Sequence, residues 1–195
     1  YPRIKNIGEP FVASGNEIPR AGVAHRLDKD TSGLLIVAKN NEAFFYLKNL
    51  FQERKINKHY LALVNGRPKE SKGVISATLG RIGLKRTTKI IGNKLIDKKE
   101  ALTEYRTVKE FKNHTLLEMT PRTGRTHQIR AHLNSIGTPV SGDNIYGFRK
   151  VKSPDNLKRL FLHAYKLEFV SLDGKKLILE CDLPKDLQNT LNTLE

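Results

Sequence analysis

The sequence predicts an α+β fold, a mainly antiparallel or mixed β-sheet with a few flanking helices. Three observations predict it. Short apolar runs bounded by turn residues recur along most of the 195 residues, as strands do. Successive runs are joined by connections short enough for hairpins. Only two or three segments carry the three-and-four spacing of a helix packed on a sheet.

Taken in order, residues 1–24 hold few periodic apolar positions and several turn formers (Pro2, Gly8, Pro10, Gly15, Pro19, Gly22), and read as an extended approach to the first strand. Residues 34–38 are a continuous apolar run, expected as a strand buried on both faces. Asn40-Asn41 starts a helix whose stripe is Phe44, Leu47, Leu50 and Phe51. A second strand, 59–64, closes at Asn65-Gly66. Lys, Arg and Gly dominate 67–100, with short runs at 73–77 and 89–92; these read as hairpins in a basic, exposed excursion within the same domain. Strands at 101–108 and 114–119 form a hairpin about the turn 109–113. Thr126 is placed to cap a helix over 127–135, which Gly137 ends. Strands at 160–169 and 176–182 flank Asp173-Gly174, and Pro184 opens a short last helix.

The charge balance points to a partner. Thirty-five Lys and Arg face 20 Asp and Glu, a formal +15. The ordinary alternative is a solvated basic surface, but a field this large attracts polyanions, and RNA or DNA is the expected class. A membrane surface fits less well, because no basic amphipathic helix is rich in aromatics. No apolar run reaches transmembrane length and no signal-peptide pattern is present. Cys181 is the one cysteine, which excludes an internal disulfide; it sits in a strand-like run as an expected small buried residue, and a reducing cytosol fits. The chain begins at Tyr1 rather than Met and is expected to be a fragment or processed form.

Two polar segments could carry chemistry. Residues 25–33, His25-Arg26-Leu27-Asp28-Lys29-Asp30-Thr31-Ser32-Gly33, crowd bases and two acids against the apolar run, with Asp28 at the centre. Asp30 reads as a turn residue bonding backbone N–H groups, which argues against an Asp28/Asp30 glycosidase pair. Residues 122–133 gather Arg125, His127, Gln128, Arg130 and His132 at a helix start, a good anion site. Arg130 lies between Ile129 and Ala131, and a partly buried arginine wants a carboxylate, for which Asp28 is the natural candidate. His127 and His132 are five apart and do not share a helix face, so metal chemistry is not expected. Nothing in the spacing around Tyr60 makes it catalytic.

Together, 25–35 (HRLDKDTSGLL), Lys58-His59-Tyr60, 124–133 (GRTHQIRAHL), 142–147 (GDNIYG) and 161–164 (FLHA) resemble the pseudouridine synthases, in the RluA-type branch that acts on ribosomal and transfer RNA. The resemblance runs from about Arg20 to Cys181. It implies Asp28 as the catalytic aspartate, acting on a target uridine without cofactor or metal, and Arg130 as the arginine paired with it. Tyr60 matches the tyrosine lying against the uracil, proposed to help remove the proton from its fifth carbon. Arg26 matches a residue that helps displace the base, and Leu162 lies in the motif lining the uracil pocket. Further RNA contacts are expected from Arg125, His127, Gln128 and His25. The family's upstream Asn-Lys-Pro-x-Gly strand and the small N-terminal RNA-binding domain of many relatives are not in this sequence, and Ser171 stands where a proline is common.

The reading that follows is one catalytic domain over 1–195 with an RNA-binding cleft, expected as a cytoplasmic monomer that isomerises uridines in ribosomal RNA, or in tRNA. Two competitors are a non-catalytic RNA-binding module of the same fold, and a glycosidase or nuclease, which would give hydrolysed product.

Overall fold

The computed structural model describes residues 4, 6–13, 16–18, 21–82, 85–87, 96–147 and 152–194. The chain gathers into two compact units. The smaller comprises Tyr1–Leu27, Leu34–Asn57 and Leu167–Glu180, and the larger Asp28–Gly33, Lys58–Lys166 and Cys181–Glu195.

In the smaller unit β1 (Phe11–Ala13) and β2 (Asn16–Ile18) pair antiparallel, Phe11 opposite Ile18, where the sequence predicts only an extended approach. Strands of this length are too short to show a period. Helix α1 (Asn41–Gln52) starts as expected: the Asn40 side chain accepts the Ala43 N–H at 2.8 Å, occupying one otherwise unpaired donor of the first turn. Its stripe of Phe44, Leu47 and Leu50 is buried with Ala38, Ile56, Leu167 and Phe169. The apolar run at 34–38 is not a strand buried on both faces. Leu34, Ile36 and Ala38 turn into this core, while Leu35 and Val37 remain 46 % and 39 % exposed. The segment is extended, bridged at Val23–Val37 and held by the Ala38 N–H on the Gly22 carbonyl at 2.9 Å.

The larger unit is built on strands in the order β9–β4–β8–β7–β5–β6: β4 (Asn57–Asn65, from Lys58 on), β5 (Lys72–Ile82), β6 (Lys85–Thr87), β7 (Ile96–Glu110), β8 (His114–Pro121) and β9 (Leu162–Val170, as far as Lys166). The β4–β8, β8–β7, β7–β5 and β5–β6 ladders are antiparallel. The short β3 (Ser32–Gly33) joins β9 in parallel, which makes the sheet mixed. Alternation sets the two faces. Ala62, Val64, Leu117 and Met119 pack with Ile129 and Leu133 of α2 (Gln128–Ser135) and with Leu160 and Leu162. Leu63, Leu116, Phe111 and Phe161 pack with Leu187 and Leu191 of α3 (Lys185–Asn192), with Pro184 at its N-cap.

Within the basic stretch expected as an exposed excursion over 67–100, the described part of β5 is not wholly exposed. Lys72, Val74, Ser76 and Thr78 of β5 face outward, but Ile75 and Leu79 are buried. The run at 89–92 lies outside the described residues.

The end of β9 and β10 (Lys176–Glu180) form the predicted hairpin, with Gly174 at φ 80°, a backbone shape that favours glycine. Cys181 follows β10 and is half-buried rather than buried. Among the described residues no helix is long and apolar enough to cross a membrane.

Candidate active site

Asp28 heads a short segment of the larger unit. The Thr31 N–H donates to the Asp28 carbonyl at 3.0 Å, closing a tight turn, and the next two residues pair with β9, Ser32 with His163 and Gly33 with Ala164. Gly33 has φ +123°, and a Cβ there would overlap the Ala164 backbone carbonyl, so only glycine lets the segment lie this close. Asp30 is exposed beside this turn.

Arg130 faces Asp28, as the sequence predicts, but Asp28 is not its main partner. The buried guanidinium spends Nε on Asp143 Oδ2 at 2.7 Å and Nη2 on Asp143 Oδ1 at 2.9 Å, a bidentate pair. That leaves Nη1, which lies 3.5 Å from Asp28 Oδ2. Asp143 is the residue that sequence reasoning missed. It stands inside the 142–147 motif, and an acid opening a Gly-bounded turn is its one local signal. Its Oδ1 also accepts the Ile145 and Tyr146 N–H groups at 2.8 and 2.9 Å. Burial works against its charge, but the Arg130 fork and these N–H groups outweigh it and hold the carboxyl below the usual range. Burial likewise disfavours the Arg130 cation, and Asp143, with Asp28 adding, raises its proton affinity above normal. The guanidinium carbon also lies 5.2 Å from the centre of the Tyr146 ring.

His127 completes the surround. Its Nε2 is 3.9 Å from Asp28 Oδ2 and its Nδ1 3.2 Å from the Tyr146 hydroxyl. It occupies the N-cap of α2 in the left-handed region, φ 54°, with no side-chain cap. Thr126 is therefore not the cap expected of it. The helix start is secured by Gln128 reaching back. Its Oε1 accepts the Arg125 N–H at 3.0 Å and the Thr123 hydroxyl at 2.6 Å, and its Nε2 donates to the Leu102 carbonyl and the Thr103 hydroxyl. Gln128, expected to contact RNA, is thus buried with both ends of its amide engaged. His132, counted with the anion-binding cluster, is also fully buried against Thr103, and burial lowers its pKa to about 4. Of the set expected to face an anion at this helix start, only Arg125 and His127 remain accessible, and both are half-buried.

Tyr60, on β4, has its hydroxyl pushed up to about 12, first by burial and then by the negative charge of Asp28. At neutral pH it keeps its proton. Leu162 is buried at the start of β9. His25 and Arg26 belong to the smaller unit. His25 stacks on Phe51 at 4.4 Å and its Nε2 accepts the Ile36 N–H at 2.9 Å, while Arg26 is exposed. No group of three His, Cys, Asp or Glu side chains among the described residues could hold a metal ion.

What these parts define is an α+β domain in which one carboxylate, that of Asp28, faces the remaining nitrogen of a guanidinium whose other two are committed to Asp143. The RNA pseudouridylate synthase family model matches residues 11–135, and the chain belongs to that family. It is 44 % identical over 188 residues to ribosomal large subunit pseudouridine synthase D of Nitrosomonas europaea, covering 92 % of this chain and 53 % of that protein. It is 39 % identical over 186 residues to an uncharacterized RNA pseudouridine synthase of Aquifex aeolicus, covering 91 % of this chain and 58 % of that protein. Among solved structures, human RNA pseudouridylate synthase domain containing 1 superposes with a TM-score of 0.74 at 30 % identity, covering 86 % of this chain and 72 % of that one. The human domain-containing 4 protein gives 0.75 at 26 %, covering 88 % and 75 %. The chain spans about half the length of the curated relatives it matches.

Proposed function

We propose that this chain is the catalytic domain of an RNA pseudouridine synthase that isomerises uridines in ribosomal RNA. The observation that carries the reading is the third nitrogen of the Arg130 fork, 3.5 Å from Asp28. It supports a carboxylate that faces a fixed cation across the site, and every version of the chemistry places a carboxylate there. In the isomerisation the bond from uracil N1 to the ribose C1′ breaks, a bond from C5 to C1′ forms, the C5 proton leaves and N1 takes up a proton, so that product and substrate have the same atoms. A uridine within paired RNA must first be swung out of its stack. Arg26 would hold the gap by stacking on neighbouring bases. The Tyr60 ring and Leu162 would bound a pocket in which the freed uracil can rotate. Arg125, His127 and the exposed Lys72, Lys98 and Lys99 of β5 and β7 would track phosphates. No cofactor is needed for these steps. The enzyme would act as a monomer in the cytoplasm, with transfer RNA as the other substrate class.

The test is a pseudouridine map of unmodified ribosomal and transfer RNA incubated with the wild-type chain or its Asp28→Ala variant, read as carbodiimide adducts that stop primer extension. New stops with wild type alone, and RNA affinity retained in the variant, are expected. RNA binding with no Asp28-dependent stop on either RNA would favour the non-catalytic binding module instead.

A further inference from the structure

Asp28 is not gripped by the arginine it faces, because the strong bonds of the Arg130 fork go to Asp143 and the contact to Asp28 is a single nitrogen at 3.5 Å. Something else must hold the carboxylate in place. The Asp28–Gly33 segment is tied down at its far end, where Ser32 Oγ lies 2.9 Å from Nδ1 of the buried His163, alongside the parallel pairing of Ser32–Gly33 with His163–Ala164. The His163 ring is itself oriented from behind. Its Nε2 lies 3.3 Å from the Cys181 carbonyl oxygen and 3.5 Å from Cys181 Sγ. A carbonyl can only accept, so Nε2 carries the ring proton and Nδ1 is bare, and the Ser32 hydroxyl donates to it. Burial, the largest influence on this ring, lowers its proton affinity and favours the neutral form that this arrangement needs.

We propose that Ser32 and His163 are the positioning pair of the site: His163, set by Cys181, holds the Ser32 hydroxyl and thereby fixes where the Asp28 carboxylate stands relative to Arg130 Nη1. The pair touches no substrate and acts through Asp28. His163 also follows Leu162 on β9, so one strand sets both the candidate pocket wall and the anchor of the carboxylate segment.

The inference rests on the proposed isomerisation, and its test keeps the two apart. Single-turnover pseudouridine formation on unmodified ribosomal RNA, RNA affinity and thermal melting are measured for wild type, Ser32→Ala, His163→Ala, the double variant and Ser32→Thr. Ser32→Ala and His163→Ala should each slow the saturated rate about 10- to 100-fold, the order of effect of a misplaced reacting group, with RNA affinity within about twofold of wild type. The double variant should be no slower than the worse single, and Ser32→Thr, which keeps the hydroxyl, should recover most of the rate. Amide exchange across 28–33 should quicken about tenfold in both alanine variants. A full rate in Ser32→Ala, multiplying losses in the double variant, or unchanged exchange would overturn the pair. An inactive wild type would sink the functional reading, and the exchange measurement would still decide the anchor.

Discussion

Asp143→Asn is the perturbation that most directly tests how the site is built. Asp143 has a side chain with no exposed surface and accepts four hydrogen bonds, at 2.7 and 2.9 Å from Arg130 and at 2.8 and 2.9 Å from the Ile145 and Tyr146 N–H groups. An asparagine of the same shape can keep the Oδ1 acceptor for three of them. Its NH2 group then meets Arg130 Nε, donor against donor, and a buried guanidinium loses its main countercharge, with only the 3.5 Å contact to Asp28 left. Breaking a buried pair this way costs about 3–5 kcal/mol, a large share of the roughly 5–15 kcal/mol that holds a domain together. In a chain of this size that lowers the melting temperature by about 10 °C. Urea unfolding at unchanged m-value is the assay. A second variant separates charge from packing: Arg130→Met with Asp143→Leu removes both members of the buried pair, so it should lose less stability than either single change, yet remain inactive because Asp28 has lost its cation. A stability change below about 1 kcal/mol for Asp143→Asn would refute the claim that this pair, rather than Arg130–Asp28, anchors the guanidinium.

Other outcomes follow from the same geometry. Burial holds the His132 pKa at about 4 against an ordinary 6.5, so the unfolded chain takes up the proton first. Its contribution is complete above about pH 6.5 and fades as pH falls toward about 4, on the order of 3 kcal/mol at the limit. His114 and His163 are shifted in the same direction by burial, so urea midpoints should drop between pH 7 and pH 4.5, and a flat profile would count against all three. Gly33→Ala should cost roughly 3 kcal/mol or more and abolish pseudouridine formation, because the new Cβ meets the Ala164 carbonyl at a φ that disfavours side chains. Near-wild-type melting would mean that β3 can leave β9 freely. Neutralising Lys72 of β5 and Lys98 and Lys99 of β7, all exposed, should flatten the salt dependence of RNA affinity. An unchanged slope places the phosphate track elsewhere.

Features that depend on neighbours in the chain were legible in the sequence by itself. The three-and-four stripe of α1, its Asn40 cap, the Asp173-Gly174 turn and the succession of hairpins are set within a few residues of one another, and the basic composition alone pointed to a polyanion. The segments carrying Asp28 and Arg130 could be picked out because their residue types are concentrated in short stretches, whereas Tyr60 came only from the family resemblance. Tertiary structure decided who meets whom. Only the fold turns His25 onto Phe51, sinks Gln128 and His132 beneath the helix start, and leaves Leu35 and Val37 outside while Leu34 and Ile36 go in. Only the fold gives Arg130 to Asp143 first and Asp28 second, and brings Ser32 to His163 across 131 residues of sequence. The physical reason is that periodicity and turn chemistry are local energies, whereas a side chain's partner depends on strand register and on which groups compete for it, and both exist only once the chain has closed on itself.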